Sequence, residues 1–139
     1  MTDQELIRRA LLAREQAYTP YSHFQVGAAL LTRTGTVYPG CNIENAAYTP
    51  TNCAERTAFF SAVAQGERDF AAIAIVGGPQ GDVLDYTAPC GVCRQVMMEF
   101  CDPDTFRILA ARSPEDYRVF TLRELMPQSF GPADLAKKS

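Results

Sequence analysis

The chain has 139 residues, 47% of them hydrophobic, and a formal net charge of −3. That length makes one domain, residues 1–139, with room for a sizeable core. The acidic balance and the lack of a basic stripe point away from nucleic acid, no apolar run is long enough for a membrane span, and Met1-Thr2-Asp3-Gln4-Glu5 is not a basic signal segment, so a cytoplasmic protein is expected.

Thr2 to Ala17 is predicted as the first helix. Thr2 and Glu5 fit a capping box, Leu6, Ile7, Ala10 and Leu11 form a helical apolar stripe, and Pro20 ends it. Val26 to Leu31 and Thr36 to Gly40 form a hairpin across Gly35. Asn42 to Asn52 is a polar loop. A second helix follows Cys53 and stops at Gly66. Phe70 to Val76 is a buried strand, and Gly77-Gly78-Pro79-Gln80-Gly81 leaves the sheet as a plain turn, lacking the Lys-Ser/Thr of a phosphate loop. A third helix follows Pro89 and ends near Cys101-Asp102-Pro103. Phe106 to Ala111 and Asp116 to Thr121 are strands, Thr121 to Leu125 a short helix, and the tail from Ala133 is loosely held. Strands separated by helices imply crossovers and a mixed sheet with helices on both faces.

Two short segments carry the chemistry, Cys53-Ala54-Glu55-Arg56 and Pro89-Cys90-Gly91-Val92-Cys93. Each opens a helix, where free N–H groups and the helix dipole favour thiolates. Cys53, Cys90 and Cys93 suit zinc, and three protein ligands leave a fourth tetrahedral position for water. Glu55 lies where a carboxylate can serve that water as acid and base. Arg56 and Arg94 follow the ligands and are placed to hydrogen-bond the sulfurs, offsetting their charge. From the cysteines alone, other readings stand beside this one. They are a closed structural zinc site completed by Cys41 or Cys101, buried free thiols, and a redox-active C-x-x-C.

A C-x-E segment followed by P-C-x-x-C resembles the zinc-dependent nucleoside and nucleobase deaminases. Within that superfamily the chain resembles the short, homotetrameric cytidine deaminases. The matching stretches are Tyr18 through Ala29, Gly40-Cys41-Asn42-Ile43-Glu44-Asn45-Ala46, Cys90 through Gln95, Leu125-Met126-Pro127 and Phe130-Gly131-Pro132. They run from about residue 15 to about residue 135 and so cover almost the whole chain.

The resemblance implies a three-layer α/β/α cytidine deaminase-like fold with a five-stranded mixed sheet, and one Zn2+ per subunit. It implies hydrolysis of the 4-amino group of cytidine and 2′-deoxycytidine in pyrimidine salvage, with Glu55 as proton shuttle. It makes Asn42 and Glu44 the ribose clamp, sets Phe24 against the pyrimidine, and has the Ala54 N–H donate to the base carbonyl. Tyr48 and Phe130 resemble residues that complete a neighbouring subunit's pocket in a homotetramer. The partner expected is thus a small nucleoside. His23 is expected as a loop residue beside the pocket, and Cys41 and Cys101 as bystanders. The alternatives are a deaminase for a modified cytosine nucleoside such as blasticidin S, a non-catalytic zinc module, and a thiol oxidoreductase.

Overall fold

The computed structural model describes residues 1–136. Helix α1 spans Asp3–Arg14 behind the expected capping box, in which the Thr2 hydroxyl accepts from the Glu5 N–H at 3.1 Å and the Glu5 carboxylate accepts from the Thr2 N–H. It ends three residues short of Ala17. There the chain tightens into i→i+3 bonds, such as Gln16 N–H to Ala13 O at 3.1 Å, before Tyr18 N–H reaches the Asn42 carbonyl at 2.9 Å.

Five strands follow: β1 (Phe24–Thr32), β2 (Val37–Cys41), β3 (Phe70–Pro79), β4 (Arg107–Ser113) and β5 (Asp116–Thr121). Their order across the sheet is β2-β1-β3-β4-β5. β3 and β4 are parallel, and the other neighbours are antiparallel. The pattern of elements implied a mixed sheet and the resemblance a five-stranded one, and the sheet is both. Between the strands lie α2 (Ala54–Ala64) and α3 (Gly91–Phe100), and after them come α4 (Leu122–Leu125) and α5 (Pro132–Ala136). A second capping box, Thr121 with Glu124, starts α4. The loosely held tail expected from Ala133 begins instead inside α5, and residues 137–139 lie outside the described part of the chain. No helix among the described residues is long and apolar enough to cross a membrane.

Strand alternation sorts the core into two layers. Ala28, Leu30, Ile73, Ile75 and Ile108 face α2 and α3, where they meet Ala58, Phe59, Ala62 and Met97. Ala29, Ala74, Val76 and Leu109 face α1, where they meet Leu6, Ile7 and Ala10. Helices on both sides explain why β3 is an unbroken apolar run in the sequence.

The glycine cluster after Val76 does not leave the sheet. Gly77, Gly78 and Pro79 pair with Val26, Gln25 and Phe24. Partner strand β1 outweighs the turn propensity of these residues, and the turn comes at Gln80–Gly81. Bare backbone is needed here because the following loop packs against it: a Cβ on Gly78 would lie 2.3 Å from Asp82 O, and one on Gly77 would lie 2.7 Å from the Thr87 hydroxyl.

Close approach also sets the position of α2. A Cβ on Gly40 would lie 2.3 Å from Ala54 O and 2.6 Å from Ala58 N, so the first turn of α2 rests directly on β2. Gly40→Ala should therefore cost about 1–3 kcal/mol of stability by overpacking, and should lower zinc content by shifting the Cys53 end of α2. Gly91→Ala is the control, since its added Cβ meets nothing. Urea unfolding and metal analysis of the two variants check this.

Candidate active site

Cys53 and Cys90 are the N-cap residues of α2 and α3. Their backbones are extended and their thiols make no capping bond, so the sulfurs remain available beside the positive ends of both helices. Cys93 lies one turn into α3 on the same face as Cys90. The Sγ atoms of Cys53 and Cys90 are 3.8 Å apart and those of Cys90 and Cys93 3.5 Å, and all three sulfurs lie within 4.8 Å of one another.

The donor chemistry fits zinc: three soft sulfur ligands converge on one point and leave one side open. The three thiols could hold a metal ion, and among the described residues they form the one cluster of three or more such side chains that could. Neither Cys41 nor Cys101 belongs to it, so the four-cysteine structural site has no fourth thiol here. Cys41 lines a separate hollow with Ala13, Pro39 and Thr57. Burial pushes the thiols of both Cys41 and Cys101 up.

Electrostatics separate the three thiols. Cys53 is pulled down to about 5, chiefly by the Cys93 thiol and then by Arg56. The same contact with Cys53, together with burial, pushes Cys93 up. Nη2 of Arg56 donates to Cys53 Sγ at 3.3 Å, while its buried Nε has no partner. Arg94 behaves differently from the expectation. Its Nε donates to Pro89 O at 2.7 Å and its Nη1 to Leu125 O at 2.8 Å. It fixes the peptide before Cys90 and docks α3 on α4, because two carbonyls lie in its reach and satisfy the planar donor fork.

Glu55 is only 4% exposed. Burial, joined by the charge of Cys53, pushes its carboxyl up to about 7. It lines a cleft of about 210 Å³ with Val26, Asn42, Cys53, Thr87 and Cys90. Ala54, the first residue of α2, lines the same cleft, and its N–H is among those a helix leaves without an internal acceptor.

Asn42 and Glu44 sit in the loop before α2, stitched down by the Ile43–Asn52 bridge. The Asn42 amide donates to Phe24 O at 2.8 Å and accepts from Val26 N–H at 2.9 Å, continuing the edge of β1. The Glu44 carboxylate accepts from the N–H groups of Tyr21 (2.9 Å) and Ser22 (3.1 Å) and from the Ser22 hydroxyl. Those bonds, led by the Ser22 hydroxyl, hold it below the usual carboxylate range. Each side chain keeps unused capacity: about one acceptor site on Glu44, and one donor and one acceptor on Asn42.

Phe24 opens β1 and is 40% exposed, but it is not among the residues lining the cleft. Tyr48 and Phe130 are exposed as well. Tyr48 meets the Tyr21 ring edge-on across a neighbouring hollow that shares Thr51 with the cleft. Phe130 is held at its carbonyl by Gln95. His23 adopts a positive φ of 56° in the turn before β1.

Sequence reasoning missed five residues that line the cleft, Val26, Thr51, Asn52, Thr87 and Ala88. Thr87 and Ala88 carry no motif and enter the site only because the loop folds back on Gly77. Thr57 has a legible role in hindsight. Its hydroxyl donates to Cys53 O at 3.1 Å and lies 3.1 Å from the Asn52 amide that donates to it.

A single mixed sheet between helices on both faces, with a thiol triad at two helix ends and a buried carboxylate beside it, defines an α/β protein with a zinc-type metal centre. The family model for the cytidine and deoxycytidylate deaminase zinc-binding region matches residues 1–108, and the chain belongs to that family. It is 49% identical over 136 residues to a cytidine deaminase of Sporosarcina psychrophila, covering 98% of this chain and 96% of the relative. It is 50% identical over 135 residues to the cytidine deaminase of Halalkalibacterium halodurans, covering 97% and 98%. Among solved structures, cytidine deaminase from Burkholderia pseudomallei superposes with a TM-score of 0.85 at 51% identity, covering 94% of this chain and all of that one.

Replacing Cys53, Cys90 or Cys93 by Ala should each reduce bound zinc from about one per chain to a small fraction. Cys41→Ser and Cys101→Ala should keep it, as metal analysis of dialysed protein will read.

Proposed function

We propose that the protein hydrolyses the 4-amino group of cytidine and 2′-deoxycytidine, giving uridine or 2′-deoxyuridine and ammonia, as a cytoplasmic enzyme of pyrimidine salvage. The observation that carries this reading is Glu55, buried beside the thiol triad in a cleft of about 210 Å³. Relatives about half identical over nearly the whole chain bear the name cytidine deaminase, which supports the choice of substrate.

Cys53, Cys90 and Cys93 would hold zinc, which when bound supplies a Lewis acid that makes water a nucleophile near neutral pH. Arg56 shares the negative charge of Cys53. Glu55 takes the proton released as water oxygen bonds to C4 and gives it to ring N3. It then carries a proton to the departing amine as the C4–N4 bond breaks and the carbonyl forms. A carboxyl held near neutral by burial exchanges protons readily in both directions. The Ala54 N–H donates to the base carbonyl at C2, and Phe24 packs against the ring. Asn42 and Glu44 use their spare donor and acceptor sites on the sugar hydroxyls.

The exposure of Tyr48 and Phe130 is consistent with cover by a neighbouring subunit in a homotetramer. Light scattering should give a mass of four chains.

The substrate reading is tested by following loss of cytosine absorbance with cytidine, 2′-deoxycytidine and deoxycytidylate. Both nucleosides should turn over. The 5′-phosphate should be turned over at least about tenfold less efficiently, because among the described residues the walls of the two hollows carry Glu44 and no cation. Faster turnover of the nucleotide, or none of either nucleoside, overturns the substrate assignment.

A further inference from the structure

The wall formed by Thr87 and Ala88 belongs to the segment between β3 and α3, which has no regular secondary structure from Asp82 to Pro89. Its start is tied down. Arg14, at the end of α1, donates to the carbonyls of Pro79 and Asp82, and Asp82 N–H bonds Pro79 O at 2.9 Å. Its end is fixed where Arg94 holds Pro89 O. Between them Leu84 is 65% exposed and contributes little packing.

Val83 packs on the α1 side of the core near the start of this segment, and Tyr86 fastens its later half to the sheet. The guanidinium carbon of Arg118, on β5, sits 4.2 Å from the centre of the Tyr86 ring, and that of Arg112, on β4, lies 5.6 Å from it. The Tyr86 hydroxyl donates to the Asp116 carboxylate, which also pairs with Arg112 at 3.6 Å. The ring face attracts the cations and the hydroxyl meets the anion, so both ends of the phenol are engaged. Thr87, the next residue, lies on Gly77 and lines the cleft.

We propose that Tyr86 is a positioning residue for the reaction: clasped by Arg118, Arg112 and Asp116, it holds the Thr87–Ala88 wall against the nucleoside. This rests on the deaminase reading given above. A wall held in place before binding spares the nucleoside the cost of ordering it. Loosening it raises KM and leaves the thiol triad and Glu55 in place, since those stand on α2 and α3.

The test compares Tyr86→Ala, Tyr86→Phe, Arg118→Ala and the Tyr86→Ala/Arg118→Ala double variant with wild type. Zinc content, kcat and KM for cytidine, and amide hydrogen exchange of residues 82–89 are measured for each. Tyr86→Ala and Arg118→Ala should each raise KM about fivefold with little change in kcat or zinc. The double variant should be no worse than the poorer single, because both changes break one clasp. Tyr86→Phe, which keeps the ring beneath Arg118, should restore most of the wild-type KM. Exchange over 82–89 should speed up wherever KM rises.

An unchanged KM in Arg118→Ala overturns the proposal, and so does a loss of kcat and zinc together, which marks a role in folding alone. If Tyr86→Ala does not fold, Arg118→Ala decides by the same criteria. If wild type leaves cytidine untouched, the deaminase reading has failed, and hydrogen exchange still reads the clasp. Faster exchange in Arg118→Ala then upholds the clasp, and unchanged exchange removes it.

Discussion

Three sulfur atoms within 4.8 Å of one another hold the rest of the molecule to account. Like charges that close repel by about 4 kcal/mol per pair at an effective dielectric of 20. Thiolates there need positive charge supplied from every side. Two helix ends supply part of it, Arg56 supplies more, and a dication fits the remainder. Much of the fold serves to bring those two helix ends together. β1 and β3 pair along nearly their full length, α2 is seated on the bare backbone of Gly40, and α3 is docked through Arg94 on α4. Residues from four separate stretches of chain thereby share one small volume.

The same arrangement divides the chemistry between neighbouring residues. Cys53 caps α2 and keeps its sulfur at the rim, whereas Glu55, two residues on, is turned into the protein and buried. Burial raises the carboxyl and lowers its tendency to stay charged, while the Cys93 thiol and then Arg56 let the Cys53 thiol ionise. A group poised near neutrality thus stands next to one that is readily anionic. Asn42 and Glu44 act on a different scale. They first hold the entry to β1 by bonds to backbone, and Asn42 then lines the cleft while Glu44 lines the neighbouring hollow.

Local signals were legible where they depended on neighbours in sequence. The Thr2–Glu5 box, the β1–β2 hairpin across Gly35, the limits of β5 and the cysteine-led starts of α2 and α3 all follow from short-range chemistry. The misreadings lie where distant segments decide. Gly77-Gly78-Pro79 has turn composition, but β1 runs alongside and pairs with it. Arg94 follows a ligand in sequence, yet its donors find two carbonyls sooner than a sulfur. Tyr86 and Thr87 have no motif, because their roles come from Arg118, Asp116 and Gly77, none of them near in sequence to a recognisable pattern. Residue types and spacing therefore revealed the centre of the site, and only the folded chain revealed its walls.

The central claim is that the metal centre and the proton shuttle are separable parts of one constellation, with Glu55 in the second role. Wild type and Glu55→Gln, prepared side by side, are assayed with cytidine after zinc content has been determined for each. The glutamine is nearly isosteric and carries no exchangeable carboxyl proton, so the variant should keep its zinc and lose activity by about 10²–10⁴-fold or more. A Glu55→Gln protein that holds zinc and still deaminates cytidine at a rate near wild type would contradict the account.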